Sequence, residues 1–402
     1  MQNSRHQLTI IILIAAFTLL QLVILLVFGY TPYPDSEGYI LLARQCLEKG
    51  EPYPLTSLLN EYPFLWNIGP VNAVALSLKL FHSVTPLFVL YALMKGATAW
   101  FVYLLTRHLI NNKAALFALV LYIVYPANYG EATSTLSELP FMFFILSGLC
   151  LCLVKRQYFL GGALMAVANW FRPMGIVFLL AAVIYVFFFE KRKAALRPIA
   201  GFLVVIVLLG GMTYHRTGLF LYQAKTGWMA LMDYSSDHSP ETIAVRDRTD
   251  WNVCQKDSAW QSLFIDWLQD HPREYVAQMP RKLLDTYVSD NVNMCAFIPD
   301  KAQKEYMYEE VSLKTLIQYF PHYSAVQWLT CLNLAVYYGM LVCALLSLLY
   351  FRKESCLLPI SIIVLGTLLL LFVGHGEARF HIPFMPFFII MASMFINHII
   401  KR

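Results

Sequence analysis

The stretch Tyr33-Pro34-Asp35-Ser36-Glu37-Gly38-Tyr39 places two carboxylates a few residues after the first long apolar segment of the chain. The segment that follows, Gly38 to Lys49, is amphipathic, and Gly50 supplies a signal at which helices commonly end. Its apolar side chains share one helical face. They are Tyr39, Ile40, Ala43, Cys46 and Leu47. The pattern predicts a short helix lying flat on a membrane surface, with Asp35 and Glu37 at its entrance.

The rest of the chain is too apolar for a soluble domain. Its 402 residues are 58% hydrophobic and 14% charged, with a mean hydropathy of +0.56. Soluble domains carry about a quarter charged residues. Apolar runs near twenty residues recur along the sequence, which is typical of an all-α polytopic membrane protein. The run Leu8 to Phe28 has no small-residue cleavage site, so we expect a retained span and not a signal peptide.

Charge and cysteine content exclude several other classes of protein. The net charge of +5 does not indicate a nucleic-acid partner, because the cations fall in short loops between apolar runs. The eight cysteines show no CxxC or Cys/His metal spacing. Cys254 and Cys295 share one hydrophilic loop and can form a disulfide if that loop faces an oxidising compartment. Asp233, Asp237 and His238 in the same loop can bind a cation or simply be solvated.

We predict about ten transmembrane helices. They are 8–28, 86–106, 113–129, 136–154, 158–171, 173–189, 196–214, 325–350, 356–373 and 380–400. Two of these, 113–129 and 158–171, are short and require tilt or a thinned bilayer. The segment 66–81 is apolar but brief. If it does not cross, the short loops rich in Lys and Arg all lie on one side, which is then cytoplasmic. We therefore predict that 66–81 is a membrane-surface or re-entrant helix.

This topology divides the chain into three units. They are an N-terminal seven-span module 1–214 with the external loop 29–85, an extracytoplasmic loop 215–322 and a C-terminal three-span module 323–402. Helical pieces are predicted within the long loop. They are 257–270, 272–279 and 281–289, and Pro280 marks a break or kink between the last two. Since the loop shows no obvious core of its own, we expect it to pack on the membrane part as a lid.

Ionisable residues also lie at or near the predicted ends of spans on the external side. They are Glu131, Glu138, Arg172, Glu377, Arg379 and His381. Charge at such depths is costly unless it is paired or faces a wet cavity, so these residues are functional candidates. A lone interfacial histidine such as His381 is, however, more often a hydrogen-bonded bystander.

Structural roles are the alternatives for the charged residues. Asp35 can cap its helix, and Glu37 can complement the positive helix N-terminus. Glu138 can pair with Arg172 or another cation inside the bundle. Arg172 and Arg379 can instead extend to lipid headgroups. The sequence leaves these alternatives open.

Together, the charges indicate a chemistry. Carboxylates can deprotonate or orient a hydroxyl nucleophile, and arginines match the oxygens of a phosphate or pyrophosphate. A base beside a phosphate clamp at a membrane face suits group transfer from a lipid-phosphate carrier. A transporter or flippase of lipid-linked sugars is the alternative, although the repeats and interrupted mid-membrane helices common in transporters are not visible. An inactive scaffold of an envelope-assembly complex is a third interpretation.

Short motifs spread over most of the chain resemble those of one group of membrane enzymes. They are Asp35-Ser36-Glu37 with Tyr39, Ala43, Gly50 and Tyr53-Pro54, then Leu136-Ser137-Glu138-Leu139-Pro140, Phe171-Arg172-Pro173, His271-Pro272-Arg273-Glu274-Tyr275 with Lys282, and Glu377-Ala378-Arg379-Phe380-His381-Ile382-Pro383. In their order they resemble the GT-C-fold glycosyltransferases, which include protein O-mannosyltransferases and the bacterial aminoarabinose transferase acting on lipid A. Seven predicted spans before the large loop are also similar to the O-mannosyltransferase plan.

The resemblance implies transfer of a sugar from a polyprenyl- or dolichyl-phosphate donor, usually with inversion. The acceptor is a glycan, lipid or protein, and the site lies on the extracytoplasmic face of the cytoplasmic membrane. The first-loop acid of the family acts as the base, which corresponds to Asp35. Glu37 would position the acceptor or, in members that use one, a divalent cation; no metal ligands are assigned.

The remaining site residues follow from the resemblance and from the charge pattern. Arg172 and Arg379 are the candidates for binding the donor phosphate. Supporting residues are Glu131, which the charge pattern alone indicates, and Glu138, Glu377, His381 and Tyr39. The first loop reads Asp-Ser-Glu where the family has adjacent Asp-Glu, which leaves open whether Asp35 or Glu37 is the base.

Overall fold

The computed structural model describes residues 2–237, 239–298, 324–351, 354, 357–374 and 376–400. In these ranges the chain is α-helical without a named strand, and one isolated β-bridge joins Leu65 to Lys225. The first nine helices are α1 (Gln2–Phe28), α2 (Pro34–Lys49), α3 (Ile68–Phe81), α4 (Thr85–Leu109), α5 (Asn112–Val124), α6 (Glu138–Leu149), α7 (Tyr158–Phe171), α8 (Gly175–Phe189) and α9 (Leu196–Thr217). The later helices are α10 (Gly227–Ser235), α11 (Pro240–Arg246), α12 (Val253–Asp270), α13 (Pro272–Tyr287), α14 (Ala325–Tyr350), α15 (Leu358–Val373) and α16 (Met385–Ile399). The predicted all-α class is confirmed for the described residues.

Five helical segments in the described ranges are long and apolar enough to cross a membrane. They are Gln7–Phe28, Thr85–Leu109, Arg192–Thr217, Ala325–Tyr350 and Ala378–Ile399. A sixth span results if Pro126–Thr133 and Glu138–Val154, which meet at an angle of 111°, count as one. The chain is therefore a multi-pass membrane protein. The remaining predicted spans correspond to shorter apolar helices of 10–17 residues, so the number ten stays a prediction, as does the surface or re-entrant placement of α3.

The predicted amphipathic helix of the first loop forms, but it begins earlier than expected, at Pro34, so Asp35 and Glu37 lie in its first turn. Its position flat on a membrane surface stays a prediction. Gly50 ends α2 in the left-handed conformation, with φ of 69°, and its N–H donates to the carbonyls of Cys46 and Leu47. That φ value favours glycine because it lacks a Cβ atom. The apolar face of α2, including Tyr39 and Ala43, is buried against neighbouring parts of the loop.

Helices α7 and α9 approach each other at backbone distance, because glycine leaves room on both. A Cβ atom on Gly162 would lie 1.9 Å from the carbonyl oxygen of Pro198, and one on Gly201 would lie 1.9 Å from that of Phe159. Small residues permit such approach in membrane bundles, where apolar burial alone does not drive helices together. This packing fixes α7, which carries Arg172 at its C-terminal end.

The long loop contains α10 to α13 and differs from the prediction in two respects. Met232, Phe264 and Tyr275 form a small apolar cluster within it, so the loop has a core that its sequence did not reveal. A break or kink was predicted at Pro280; the break is wrong, because α13 runs from Pro272 to Tyr287 with Pro280 inside. Buried side chains on both sides of this proline, Tyr275 and Lys282 among them, stabilise the helix despite the lost hydrogen bond.

Direct contacts attach this loop to the membrane part. The Lys256 ammonium donates to the carbonyl oxygens of Asn60 at 3.1 Å and Tyr62 at 2.7 Å, both in the first loop. The Tyr275 hydroxyl donates to the carbonyl of Val373, at the end of α15. The role of the loop as a lid and its boundaries at 214 and 322 stay predictions.

Two further expectations concern the cysteines and the loop acids. Cys254 and Cys295 are both free, so the disulfide that the sequence left open is not present. Cys295 is buried in a 3₁₀ turn, Val292–Phe297, far along the loop from the start of α12 where Cys254 lies. The proposed cation site at Asp233, Asp237 and His238 includes a residue outside the described ranges.

Candidate active site

An arginine at the start of the last span joins two carboxylates from different parts of the chain. Arg379 Nη1 lies 2.8 Å from Asp35 Oδ2, and Arg379 Nε donates to Glu377 Oε2 at 2.7 Å. The turn that carries Glu377 packs directly under the lid, because a Cβ atom on Gly376 would lie 1.8 Å from the Lys282 carbonyl oxygen. The first loop, the long loop and the last span therefore meet at this arginine.

A second ion pair lies deeper in the bundle. Arg172, the residue at which α7 ends, donates from Nη1 to Glu138 Oε1 at 2.6 Å and lies 3.3 Å from Ser137 Oγ. Both charged side chains are at least nine-tenths buried. The structural pairing of Glu138 with Arg172, an alternative left open by the sequence, is thus present. The extension of Arg172 to lipid headgroups is not.

The Phe380 ring brings the two arginines together. The guanidinium carbon of Arg172 lies 4.6 Å from the ring centroid, and that of Arg379 lies 5.7 Å from it. Near the same position, the Thr135 hydroxyl donates to the carbonyl of Ser36 at 3.3 Å, which connects the segment before α6 to α2. We call Asp35, Glu138, Arg172, Glu377 and Arg379 the arginine cluster. Sequence positions from 35 to 379 converge here.

Asp35 does not cap its helix. The residue before the first turn of α2 is Tyr33, which makes no side-chain cap hydrogen bond, and Asp35 lies inside the helix facing Arg379. Burial raises the pKa of Asp35 above its ordinary value; the Arg379 guanidinium opposes this shift, and the Glu138 and Glu377 carboxylates add to it. A raised pKa means that the carboxyl group holds a proton more firmly than a solvated aspartate does.

Glu37 and Tyr39, on the same helix, have other partners. Glu37 is exposed and accepts a hydrogen bond from the Tyr30 hydroxyl at 2.7 Å. Tyr39 is buried, and its hydroxyl accepts from Asn67 Nδ2 at 3.0 Å while its ring packs edge-on against Trp66. Of the two carboxylates in the first turn of α2, Asp35 is therefore the one that contacts an arginine of the cluster.

Glu131 lies in a separate buried pair. Its Oε1 is 2.5 Å from Lys95 Nζ, and Lys95 projects from the middle of α4 with no exposed surface. The ammonium also donates to Asn128 Oδ1 at 2.9 Å. Lys95 and Asn128 were not identified from the sequence, although an ionisable residue inside an apolar span is a recognisable signal.

His381 joins a further buried group that the sequence did not reveal. His381 Nε2 lies 3.0 Å from Asp290 Oδ1, and Nδ1 lies 2.8 Å from the carbonyl oxygen of Thr286. The Asp290 carboxylate also accepts hydrogen bonds from the Tyr125 hydroxyl and from Asn333 Nδ2. Asp290 thus connects the end of the lid to the last span, to α14 and to the segment that follows α5.

We expect Asp290→Ala to lower the free energy of unfolding by about 3–5 kcal/mol, because it leaves buried donors without their acceptor. A thermal unfolding series in detergent measures the effect. The matched control is Asp285→Ala, whose exposed carboxylate faces Arg281 at 3.7 Å, and which we expect to change stability by about 0.5 kcal/mol or less. Equal unfolding temperatures for the two variants would contradict the connecting role of Asp290.

The described residues do not offer an evident metal site. No group of three His, Cys, Asp or Glu side chains lies together within these ranges. Asp35 and Glu138 are engaged by arginines, and Glu37 accepts from Tyr30. A resident divalent cation needs several oxygen ligands, so the arrangement around Asp35 does not fit one. We derive no chemical step through a metal.

Comparison with known proteins identifies the fold. No protein-family model matches the chain, and no curated protein matches it by sequence. Solved structures of the oligosaccharyltransferase AglB from Archaeoglobus fulgidus are similar in three dimensions. The apo form has a TM-score of 0.55 at 13% identity. A complex with an inhibitory peptide and a dolichol-phosphate has a TM-score of 0.53 at 13% identity, and a form tethered to an acceptor peptide has 0.53 at 14%.

The chain has the GT-C fold of these oligosaccharyltransferases. The similarity covers 98% of the chain but only 50% of each of these AglB chains, so the chain spans about half their length. The predicted GT-C-like architecture is thus confirmed at the level of fold. At such low identity the similarity carries the fold alone, and it does not distinguish a mannosyltransferase from an aminoarabinose transferase.

Proposed function

We propose that the protein is an inverting glycosyltransferase that moves a sugar from a polyprenyl-phosphate donor to an acceptor hydroxyl. The observation that carries the proposal is the position of Asp35, whose carboxylate lies 2.8 Å from Arg379 beside a second arginine on the same Phe380 ring. A base and two phosphate-binding groups then lie within one cluster. The GT-C fold supports the class of reaction by analogy.

In the proposed reaction, Asp35 accepts the proton of the acceptor hydroxyl. The hydroxyl oxygen forms a bond to the anomeric carbon of the sugar from the face opposite the phosphate. The bond between that carbon and the phosphate oxygen breaks, and polyprenyl phosphate leaves with the electron pair. Attack from the opposite face inverts the anomeric configuration. The raised pKa of Asp35 suits a base, since proton transfer is most effective when the pKa approaches the working pH.

Arg379 is suited to a second role, binding the leaving phosphate. Its Nη1 faces Asp35 and its Nε faces Glu377, which uses two of the three guanidinium nitrogens. The third nitrogen can donate to a phosphate oxygen, because the planar guanidinium carries five N–H donors. Arg172, whose guanidinium also contacts the Phe380 ring, is proposed to stabilise the same phosphate. Charge that develops on the leaving group is thereby neutralised.

The remaining parts of the proposal concern substrates and placement. One AglB structure holds a dolichol-phosphate and another an acceptor peptide, which supports a lipid-linked donor here. We propose a glycan, lipid or protein acceptor and a site on the extracytoplasmic face of the cytoplasmic membrane. Tyr39, one turn after Asp35 on the same face of α2, is proposed to support that carboxylate, and Glu37 is proposed to position the acceptor. Neighbouring membrane lipid would hold the polyprenyl chain between spans.

Detergent-solubilised protein with radiolabelled polyprenyl-phosphate sugars and a membrane extract tests the proposal. We expect release of free polyprenyl phosphate and transfer of label to an acceptor. Heat-inactivated protein is the control for spontaneous hydrolysis. Saturable binding of the lipid without turnover, by a protein that moves it across vesicle membranes, would overturn the transferase and favour a flippase.

The pH dependence of transfer follows from the charges near Asp35. The base acts only when deprotonated, so activity falls as the pH drops through its pKa. Because Glu377 raises that pKa, Glu377→Gln should lower it and move the acidic limb of kcat/KM to lower pH. In this variant the Arg379 guanidinium no longer pairs with a carboxylate at position 377, so it lowers the pKa of Asp35 further. Measured pH–rate profiles check the shift.

The control for this shift is Glu48→Gln, at the exposed end of α2, which should leave the limb in place. A limb that stays unchanged in Glu377→Gln, or moves to higher pH, would contradict the assignment of Asp35 as the titrating base.

A further inference from the structure

We propose that the buried Lys95–Glu131 pair is a positioning device for Asp35, acting through the segment 126–137. The inference rests on the proposed function for its kinetic consequences and on the structure for its mechanical ones. Lys95 and Glu131 contact neither Asp35 nor the arginines of the cluster in the described structure. Their role is to hold the segment that contacts the chain on both sides of Asp35.

One end of the device is fixed inside the bundle. Lys95 has no exposed surface, lies 2.5 Å from Glu131 and donates to Asn128 at 2.9 Å. Asn128 is itself held from two sides, because its Nδ2 donates to the Tyr122 carbonyl at 2.6 Å and its carbonyl accepts from Gln21 Nε2 at 3.0 Å. A single ammonium thus fastens both 3₁₀ turns of the segment, Pro126–Tyr129 and Glu131–Thr133, to α4.

The C-terminal part of the segment 126–137 is hydrogen-bonded to the first loop. The Thr31 backbone N–H donates to the Thr133 carbonyl at 2.8 Å, and the two threonine hydroxyls lie 2.7 Å apart. The Thr135 hydroxyl donates to the Ser36 carbonyl at 3.3 Å. Asp35 lies between Thr31 and Ser36 in the sequence, so the segment contacts the chain before and after it.

The charge of the pair also indicates more than packing. Glu131 is 7% exposed, and its Oε2 has no hydrogen-bond partner among the described residues. Buried ion pairs are weak sources of stability and can often be replaced by neutral groups of similar volume. The Lys95 ammonium bridges Glu131 and Asn128 and so fixes the position of the segment. A neutral pair would not hold the segment in this way.

The test uses the double variant Lys95→Met/Glu131→Gln, which removes both charges together and avoids an unpaired buried ion. We expect kcat to fall about 100-fold, since a misplacement near 1 Å costs about that much. The KM for the polyprenyl-phosphate sugar should stay within about twofold, because Arg172 and Arg379 are untouched. A double variant with wild-type kcat would overturn the proposal, as would a KM increase that accounts for the whole loss.

A rescue experiment separates positioning from folding. The hydroxyls of Thr31 and Thr133 lie 2.7 Å apart in the native chain. The variant Thr31→Cys/Thr133→Cys should therefore form a disulfide that joins the two segments independently of Lys95. In the Lys95→Met/Glu131→Gln background we expect oxidation of the two cysteines to raise kcat at least tenfold. Reduction of the disulfide should lower kcat again. Quantitative disulfide formation without any recovery of kcat would contradict the proposal.

A readout without catalysis distinguishes this inference from the proposed function. Hydrogen exchange followed by mass spectrometry should show faster exchange of the five non-proline amides of 31–37 in the double variant, with exchange in α7 and α9 unchanged. This result is expected even if no sugar donor is turned over by the wild type, an outcome that would overturn the proposed function alone. Unchanged exchange in 31–37 would overturn the positioning role alone.

Discussion

Asp35→Asn is expected to reduce kcat for sugar transfer by about 100- to 10,000-fold, the range that general-base catalysis contributes. Asparagine keeps the shape of the side chain and an oxygen that can accept from Arg379, but it cannot take a proton from the acceptor hydroxyl. Binding of polyprenyl phosphate should persist, because Arg379 loses a competing carboxylate at 2.8 Å. Steady-state kinetics and direct lipid binding measure the two effects separately.

Folding should not be affected by this substitution. A carboxyl whose pKa is raised by burial is disfavoured in its charged form within the fold, so replacing it by a neutral amide does not lower stability through that term. Unfolding temperatures of wild type and Asp35→Asn should therefore agree. Glu37→Gln is the comparison that decides the base: Glu37 contacts Tyr30 and not Arg379, and we expect a smaller loss. A larger loss in Glu37→Gln would assign the base to Glu37.

The fold was predictable to the extent that it depends on local patterns. Apolar runs predicted the long helices, and the amphipathic segment ended by Gly50 predicted α2, because period and stop signal are properties of neighbouring residues. The number of transmembrane spans was harder to predict, since α5 and α7 are too short to be assigned as spans by length alone. The helix through Pro280 was missed because tertiary packing outweighed a local breaking signal.

The arginine cluster could likewise be predicted only in part, because local sequence patterns do not determine which distant residues pair. Asp35, Arg172 and Arg379 attract attention in the sequence because charge at a span end needs a reason. Their pairing partners depend on how the first loop, α7 and the last span meet, which no local pattern contains. Asp290 was missed for a related reason: it lies in a polar loop where carboxylates are usually solvated, and only the fold places it against His381.

The second large effect concerns the proposed phosphate clamp. We expect Arg379→Gln to lower kcat/KM about 100- to 1,000-fold, as loss of one preorganised donor to a developing anion does. Inhibition by the product, polyprenyl phosphate, should weaken at the same time, because that molecule presents the same phosphate. Inhibition constants and kcat/KM for wild type and variant provide the measurement. A variant that loses activity but binds the product as tightly as wild type would exclude Arg379 from the clamp.

Arg379→Lys and Arg44→Gln complete the comparison. Lysine keeps the positive charge but lacks the planar fork that engages Asp35, Glu377 and a phosphate at once, so its activity should fall between wild type and Arg379→Gln. Arg44 lies on the exposed side of α2, and its loss should change neither constant. If charge alone were sufficient, lysine would restore wild-type rates. The simultaneous contacts at 2.8 and 2.7 Å argue that geometry matters as well, because a single ammonium on a flexible chain cannot reproduce them.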